Sequence, residues 1–181
     1  MNDVIENVTA GETPAAIAAE PNAESRFIGY LKGLEKRQDR AALANLRRGL
    51  GKPPKTAMEM FPYLGQFLSH ETKADYENTV FIVAALFAYY PNAKHTQGNL
   101  GASLRKLKDD KDSKSIEKRF VALLNAEAED LPYYLRQTIG LLKSNEVAVN
   151  WENLFFGVQH WKNENLKESV QSKWATQFWG N

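Results

Sequence analysis

Basic side chains are the residues of this 181-residue sequence whose number and spacing point most clearly to chemistry. Residues 26–55 carry nine Lys or Arg side chains against two acidic ones, and residues 94–119 carry eight against four. A helix beginning near residue 40 would turn Arg47 and Arg48 outward, away from its leucine face and together with Lys52. Such a group of cations can bind phosphates and release their counterions. It also fits an ordinary solvated helix face.

Catalysis and metal binding have weaker support in the sequence. The acidic group Glu127, Glu129 and Asp130 has no nucleophile or phosphate-binding loop beside it. Cysteine is absent. The three histidines are His70, His95 and His160, and none of them has a partner at metal-ligand spacing. We therefore expect no catalytic residue, no metal ligand and no cofactor, so that the protein is not an enzyme.

The charge of the chain is unevenly distributed. The total is +1, but residues 1–25 contain five acidic residues and no basic one, which leaves 23 basic and 17 acidic residues beyond them, a net of +6. Residues 1–23 also lack a sustained apolar face, so the sequence predicts a disordered acidic tail. We expect this tail to limit nonspecific binding of nucleic acid by the free protein.

The elements that must position these cations are helices. Apolar residues recur at helical spacing in seven long segments, and no β alternation bounded by hairpin turns is found. Asp39, Asp130 and Asn150 stand where N-caps are expected. The sequence predicts an all-α protein of two small helical bundles, residues 24–95 and residues 96–181. The predicted helices are 24–36, 40–50, 73–90, 115–126, 131–144, 151–163 and 167–179.

Aromatic residues could stack nucleic-acid bases, but their helical spacing favours core packing. This prediction covers the aromatic residues of the last two helices: Trp151, Phe155, Phe156, Trp161, Trp174, Phe178 and Trp179. Tyr133 and Tyr134 lie close to Arg136, where an aromatic residue fits either a packing pair or a contact with a nucleic-acid strand. Their role is left open by the sequence.

The sequence also bounds the compartment. The longest apolar run, residues 80–90, is too short to span a bilayer and predicts a core helix instead. No signal-peptide pattern is present at the N-terminus, and a chain without cysteine suits a reducing environment. We expect a cytoplasmic protein that does not contact membranes.

Five short strings occur in a characteristic order along the chain. They are ANLRRG (44–49), GNLGASL (98–104), EKRFVALLNA (117–126), LRQ (135–137) and VNW (149–151). In this order and spacing they resemble the CasB family, the small subunit of the type I-E CRISPR Cascade surveillance complex. The resemblance extends from about residue 27 to residue 179.

The resemblance implies a non-catalytic helical subunit, present as two copies lying head to tail. Its partners would be the other Cascade subunits and the crRNA, together with the target and non-target DNA strands. The subunit would bridge the complex and stabilise the R-loop, in which one duplex replaces another at nearly balanced free energy.

The expected nucleic-acid contacts fall into two groups. The family motifs imply Arg47, Arg48, Arg119 and Arg136. The charge pattern adds Lys52, Arg105, Lys106 and Lys143. Asn99, Leu100 and Gly101 are expected to start a helix rather than to touch a ligand.

Two other classes of protein remain open. A free-standing helical DNA-binding regulator would place one helix of a hairpin in the major groove. An interaction module would use its basic faces to bind acidic proteins and would show no affinity for nucleic acid.

Overall fold

The computed structural model describes residues 22–68, 73–110 and 113–180. Within these residues the chain forms nine α-helices and no strand, which confirms the all-α prediction. The acidic tail predicted over residues 1–23 lies outside the described residues, apart from Asn22 and Ala23. The helices are α1 (Ala23–Lys36), α2 (Arg40–Arg47), α3 (Phe61–Leu64), α4 (Ala74–Tyr89), α5 (Leu100–Asp110), α6 (Ser113–Leu124), α7 (Leu131–Ser144), α8 (Trp151–His160) and α9 (Glu164–Trp179).

Side-chain caps fix the start of several helices. Asp39 accepts a hydrogen bond from the backbone N–H of Ala42, and Asn150 accepts one from Asn153, each at 2.9 Å, which confirms both predicted caps. Asp130 stands at the N-cap position of α7, but its side chain makes no capping hydrogen bond. The prediction was therefore right about where α7 begins and wrong about what Asp130 does there.

Helix α4 lies at the centre of the core and packs against α1, α2, α7 and α8. Its residues from Thr79 to Ala88 are almost all buried, so the apolar run 80–90 is a core helix as predicted. The Phe87 ring packs against the Trp151 ring of α8, with the ring centroids 5.2 Å apart. The hydrophobic cluster is continuous and draws residues from both sides of residue 95. The division of the chain into two bundles at this residue stays a prediction.

Helices α5 and α9 approach each other closely. A Cβ atom on Gly101 would lie 1.9 Å from the Trp174 carbonyl oxygen, so no larger residue fits this contact. Asn99 caps α5 by accepting from the Gly101 N–H at 2.9 Å, and it donates to the Lys173 carbonyl of α9 at 2.9 Å. The expectation that residues 99–101 start a helix is confirmed.

The predicted aromatic core is largely confirmed. Five of its seven members are buried: Trp151, Phe155, Trp161, Trp174 and Phe178. Phe156 and Trp179 are 39% and 40% exposed, so the prediction was wrong for these two. They lie next to buried Phe155 and Phe178, where the helical turn directs them outward.

No helix in the described parts of the chain combines the length and the hydropathy that a transmembrane span needs.

Candidate nucleic-acid interface

Five of the predicted contact residues lie around the end of α2, the loop after it and one face of α7. We call these five exposed side chains the basic strip: Arg47, Arg48, Lys52, Arg136 and Lys143. On α7, Arg136 and Lys143 are separated by two helical turns and therefore share a face. The strip joins residues on both sides of the predicted boundary at residue 95.

Arg47 and Lys143 meet at the C-terminal end of α4. Arg47 Nε donates to the Ala88 carbonyl at 3.0 Å, and Lys143 Nζ donates to the Tyr89 carbonyl at 2.8 Å. The ammonium group also lies over the Tyr89 ring, 4.4 Å from its centroid. Because a helix C-terminus carries a partial negative charge, both cations are held where that charge stabilises them.

The Arg136 side chain lies against Gly51 in the loop after α2. Gly51 adopts a φ of 72°, and a Cβ atom there would lie 2.8 Å from the Arg136 guanidinium. Glycine therefore permits both the left-handed turn and the close approach of the arginine. Lys52 follows Gly51 in the chain. Arg136 and Lys52 line a common cleft of about 600 Å³, which we call the Lys52 cleft.

Among the described residues, Arg48 is the one member of the strip with an acidic partner within ion-pair distance. It lies 3.2 Å from Glu59, and the two side chains are 57% and 40% exposed. The backbone hydrogen bond of Glu59 lowers the pKa of that carboxyl, and the nearby Arg48 and Lys52 lower it further. An ion pair this exposed contributes little to stability, so Arg48 can exchange Glu59 for a phosphate at small cost.

Arg119 is exposed on α6 and lines a second cleft, of about 340 Å³, with Tyr133, Tyr134 and Gln137 of α7. We call this space the Arg119 cleft. Tyr133 also lines the Lys52 cleft, so it forms the border between the two. Arg119 therefore adjoins the basic strip through α7.

Arg105 and Lys106 do not join the strip in the structure. Arg105 is half-buried and donates to the Gly180 carbonyl after the end of α9, while Lys108 lies over the Phe178 ring at 5.3 Å from its centroid. Arg105 thus ties α5 to the end of α9. Lys106 is exposed on α5. Their predicted contacts with nucleic acid stay predictions.

Two features of this surface were not assigned from the sequence. Tyr133 is 61% exposed, a property that the helical period of α7 indicates but does not decide. Lys162 lines the Lys52 cleft and pairs at 3.2 Å with Asp75, which also lines it. No sequence signal identifies Lys162, because its place depends on how α8 packs against α4.

The histidines considered for metal binding have other neighbours in the described part of the chain. No group of three or more His, Asp or Glu side chains there is arranged to hold a metal ion. His95 Nδ1 lies 3.9 Å from a carboxylate oxygen of Glu152. The His160 ring forms a hydrogen bond with the Phe156 carbonyl of its own helix. His70 lies outside the described residues.

The fold and the strip together define an all-helical protein whose candidate site is an open basic surface. Residues 42–179 match the family of the CRISPR-associated protein Cse2. The chain belongs to this family, which is also called CasB.

Known members of the family have similar sequences and folds. The CRISPR-associated protein Cse2 of Thermus thermophilus is 30% identical over 159 residues, which cover 86% of this chain and 89% of that protein. The crystal structure of CasB from Thermus thermophilus has a TM-score of 0.76 at 29% identity, covering 87% of this chain and 98% of that one. A chain of a CRISPR RNA-guided surveillance complex has a TM-score of 0.73 at 21% identity, covering 86% and 91%.

Proposed function

We propose that this protein is a non-catalytic subunit of a type I-E CRISPR Cascade complex. In this role it binds the other subunits and the crRNA, and it holds the guide–target hybrid and the displaced DNA strand. Two copies lie head to tail in the complex, which acts in the cytoplasm. Membership of the Cse2 family and the likeness to a chain of a surveillance complex support the assignment.

The basic strip is the observation that carries the nucleic-acid part of this proposal. Its five cations come from α2, the following loop and α7, and all are exposed. Arg136 has no carboxylate within ion-pair distance among the residues described. Cations on an open surface can each neutralise a backbone phosphate, which gives affinity without dependence on sequence.

Such sequence-independent binding suits an RNA-guided complex. The bound sequence changes with every guide, so base pairing must supply the specificity and the protein must recognise the backbone. Because R-loop formation exchanges one duplex for another of similar stability, a few phosphate contacts are sufficient to shift the equilibrium. A chain without cysteine is also compatible with the reducing cytoplasm.

The experiment that tests this proposal is assembly of the complex with and without this chain. The crRNA-loaded complex is purified in both forms and titrated with matched and unmatched DNA. Permanganate footprinting then measures how many thymines of the displaced strand are unpaired. We expect this chain to co-purify with the complex, to raise affinity for matched DNA and to increase opening of the duplex.

The two other classes of protein predict different results. A free-standing regulator would bind one DNA sequence preferentially as an isolated protein. An interaction module would join the complex and leave both DNA affinity and permanganate reactivity unchanged. Either result would overturn the proposed function.

A further inference from the structure

Tyr133 presents an exposed aromatic ring at the border of two clefts. The residue is 61% exposed, although it lies at the start of a well-packed helix. Its ring stands edge-on to that of Tyr134, with centroids 5.3 Å apart and an angle of 83° between the planes. Tyr134 packs against the hydrophobic core, so it supports the Tyr133 ring while leaving it open to solvent.

Each cleft beside Tyr133 contains an exposed arginine. Arg136 lines the Lys52 cleft on one side, and Arg119 lines the Arg119 cleft on the other. In the described part of the chain, neither arginine has a carboxylate within ion-pair distance. An accessible aromatic ring therefore lies between two cations that are available to bind anions.

We propose that Tyr133 is a stacking platform for the base of an unpaired nucleotide, whose neighbouring phosphates are bound by Arg119 and Arg136. This inference rests on the proposed nucleic-acid contact and identifies single-stranded nucleic acid as the partner at this place. Stacking on an aromatic ring tolerates every base, because each base has a π face. Both clefts are within the size range of ligand sites and can accept a base or sugar beside the ring.

The proposal predicts a preference for single strands over duplex at this surface. In a duplex both faces of each base are already stacked, so Tyr133 would gain nothing unless a base left the helix. In a single strand the base is free to meet the ring. The arginines add affinity for both forms, because both carry phosphates.

The test uses the full chain and two oligonucleotides of equal length, one of thymidine and one abasic, so that phosphate number is constant while bases are present or absent. Affinities are measured by fluorescence anisotropy at low salt for wild type, Tyr133→Ala and Tyr133→Phe. We expect wild type and Tyr133→Phe to bind the thymidine strand roughly tenfold more tightly than the abasic one. Tyr133→Ala should bind both alike.

Two controls separate this inference from the proposed function. Phe156→Ala removes another exposed aromatic residue, on α8, and should leave the preference for bases unchanged. Arg119→Ala and Arg136→Ala should weaken binding of both oligonucleotides. If the arginine variants weaken binding while Tyr133→Ala matches wild type, the stacking proposal is overturned and the basic surface stands.

The remaining outcomes are also decisive. A wild-type chain that binds neither oligonucleotide at low salt overturns the nucleic-acid surface itself, and the stacking proposal with it. Equal affinity for a polyglutamate peptide of matched charge would assign the surface to acidic proteins. The melting temperatures of Tyr133→Ala and wild type are also compared. If they are equal, a lost preference for bases does not arise from unfolding.

Discussion

Arg47 and Lys143 each hold a backbone carbonyl at the end of α4 while remaining exposed. Both residues are candidates for phosphate binding, yet both also neutralise the negative end of the central helix. The two roles are compatible, because a guanidinium or ammonium group has several N–H donors and a carbonyl occupies one of them. Removal of either side chain therefore affects stability as well as binding.

Lys143→Ala tests the stabilising role. The substitution removes a hydrogen bond to the Tyr89 carbonyl and a cation–π contact, so we expect it to lower the free energy of unfolding by about 1 kcal/mol. Urea unfolding followed by tryptophan fluorescence measures the change. Lys118→Ala is the control, because Lys118 is exposed on α6, and its effect should be below about 0.5 kcal/mol. Equal effects of the two substitutions would contradict the assigned contact.

Individual caps and core residues could be predicted from the sequence, but the contacts of the cations could not. Asp39 and Asn150 act on residues three positions away, so local pattern is sufficient to identify them. Arg47 meets a carbonyl 41 positions away, and Lys143 meets one 54 positions away. Such partners depend on how α4 packs against α2 and α7, which no local pattern specifies.

At the scale of the helices, most positions were predicted and some ends were not. Helix α7 covers residues 131–144 as predicted. Helix α2 ends at Arg47 rather than at residue 50, because the chain turns where Gly49 lies close to Met60 and Gly51 takes a positive φ. For α5 only the start was predicted, since its charged second half resembles a surface loop.

Gly101→Ala and Gly29→Ala form a matched pair for the packing of these helices. In α5 the new methyl group meets the Trp174 carbonyl, so we expect a loss of about 1–3 kcal/mol in the free energy of unfolding. In α1 a Cβ atom on Gly29 would have no atom within 4 Å apart from its chain neighbours and the backbone of its own helix, and the higher helix propensity of alanine should add about 0.5–1 kcal/mol. Chemical denaturation measures both. A neutral Gly101→Ala would contradict the close contact of α5 with α9.

Lys32 and Glu152 link α1 to α8 through a 2.7 Å ion pair. Burial raises the pKa of Glu152, but the Lys32 hydrogen bond, a backbone hydrogen bond, and the charges of Lys32 and His95 outweigh it and leave the pKa below 4.5. A carboxyl whose pKa is lower in the folded state stabilises the fold above its unfolded pKa. That contribution is lost as the pH falls through the folded value.

Lys32→Met tests this link through its pH dependence. The substitution should lower the free energy of unfolding by about 0.2–1 kcal/mol near pH 7, because both side chains of the ion pair are partly exposed. Near pH 3 the difference from wild type should shrink, since Glu152 becomes protonated in both proteins. Urea unfolding at the two pH values measures it. Burial raises the pKa of the nearby Glu24, and the charge of Glu152 raises it further. Glu24 is present in both proteins. A difference independent of pH would contradict the link.

At the scale of the whole molecule, the basic strip and the core both cross the predicted boundary at residue 95. Helices α1 and α4 pack against α8, and α4 also packs against α7. Because Arg47 and Lys143 meet at the end of α4, this packing is what brings the cations of the two halves together. The charge clusters could be counted in the sequence, but their union into one surface depends on this packing.

The net charge of +1 averages an acidic N-terminal segment and a basic remainder. Near-neutrality of the whole chain therefore does not argue against nucleic acid as a partner. The sequence motifs could predict the family, because their order and spacing extend over most of the chain. They could not show that Arg105 ties α5 to the end of α9.

The central claim is that the basic strip holds nucleic acid within the assembled complex. The most direct measurement is the salt dependence of target DNA affinity for complexes containing wild type or the double variant Arg47→Ala, Arg48→Ala. We predict weaker binding and a slope of log affinity against log salt that is reduced by up to about two, with assembly intact. The control is Lys118→Ala with Lys173→Ala, two exposed lysines outside the strip, which should keep the wild-type slope. Unchanged affinity and slope in the double arginine variant would contradict the claim.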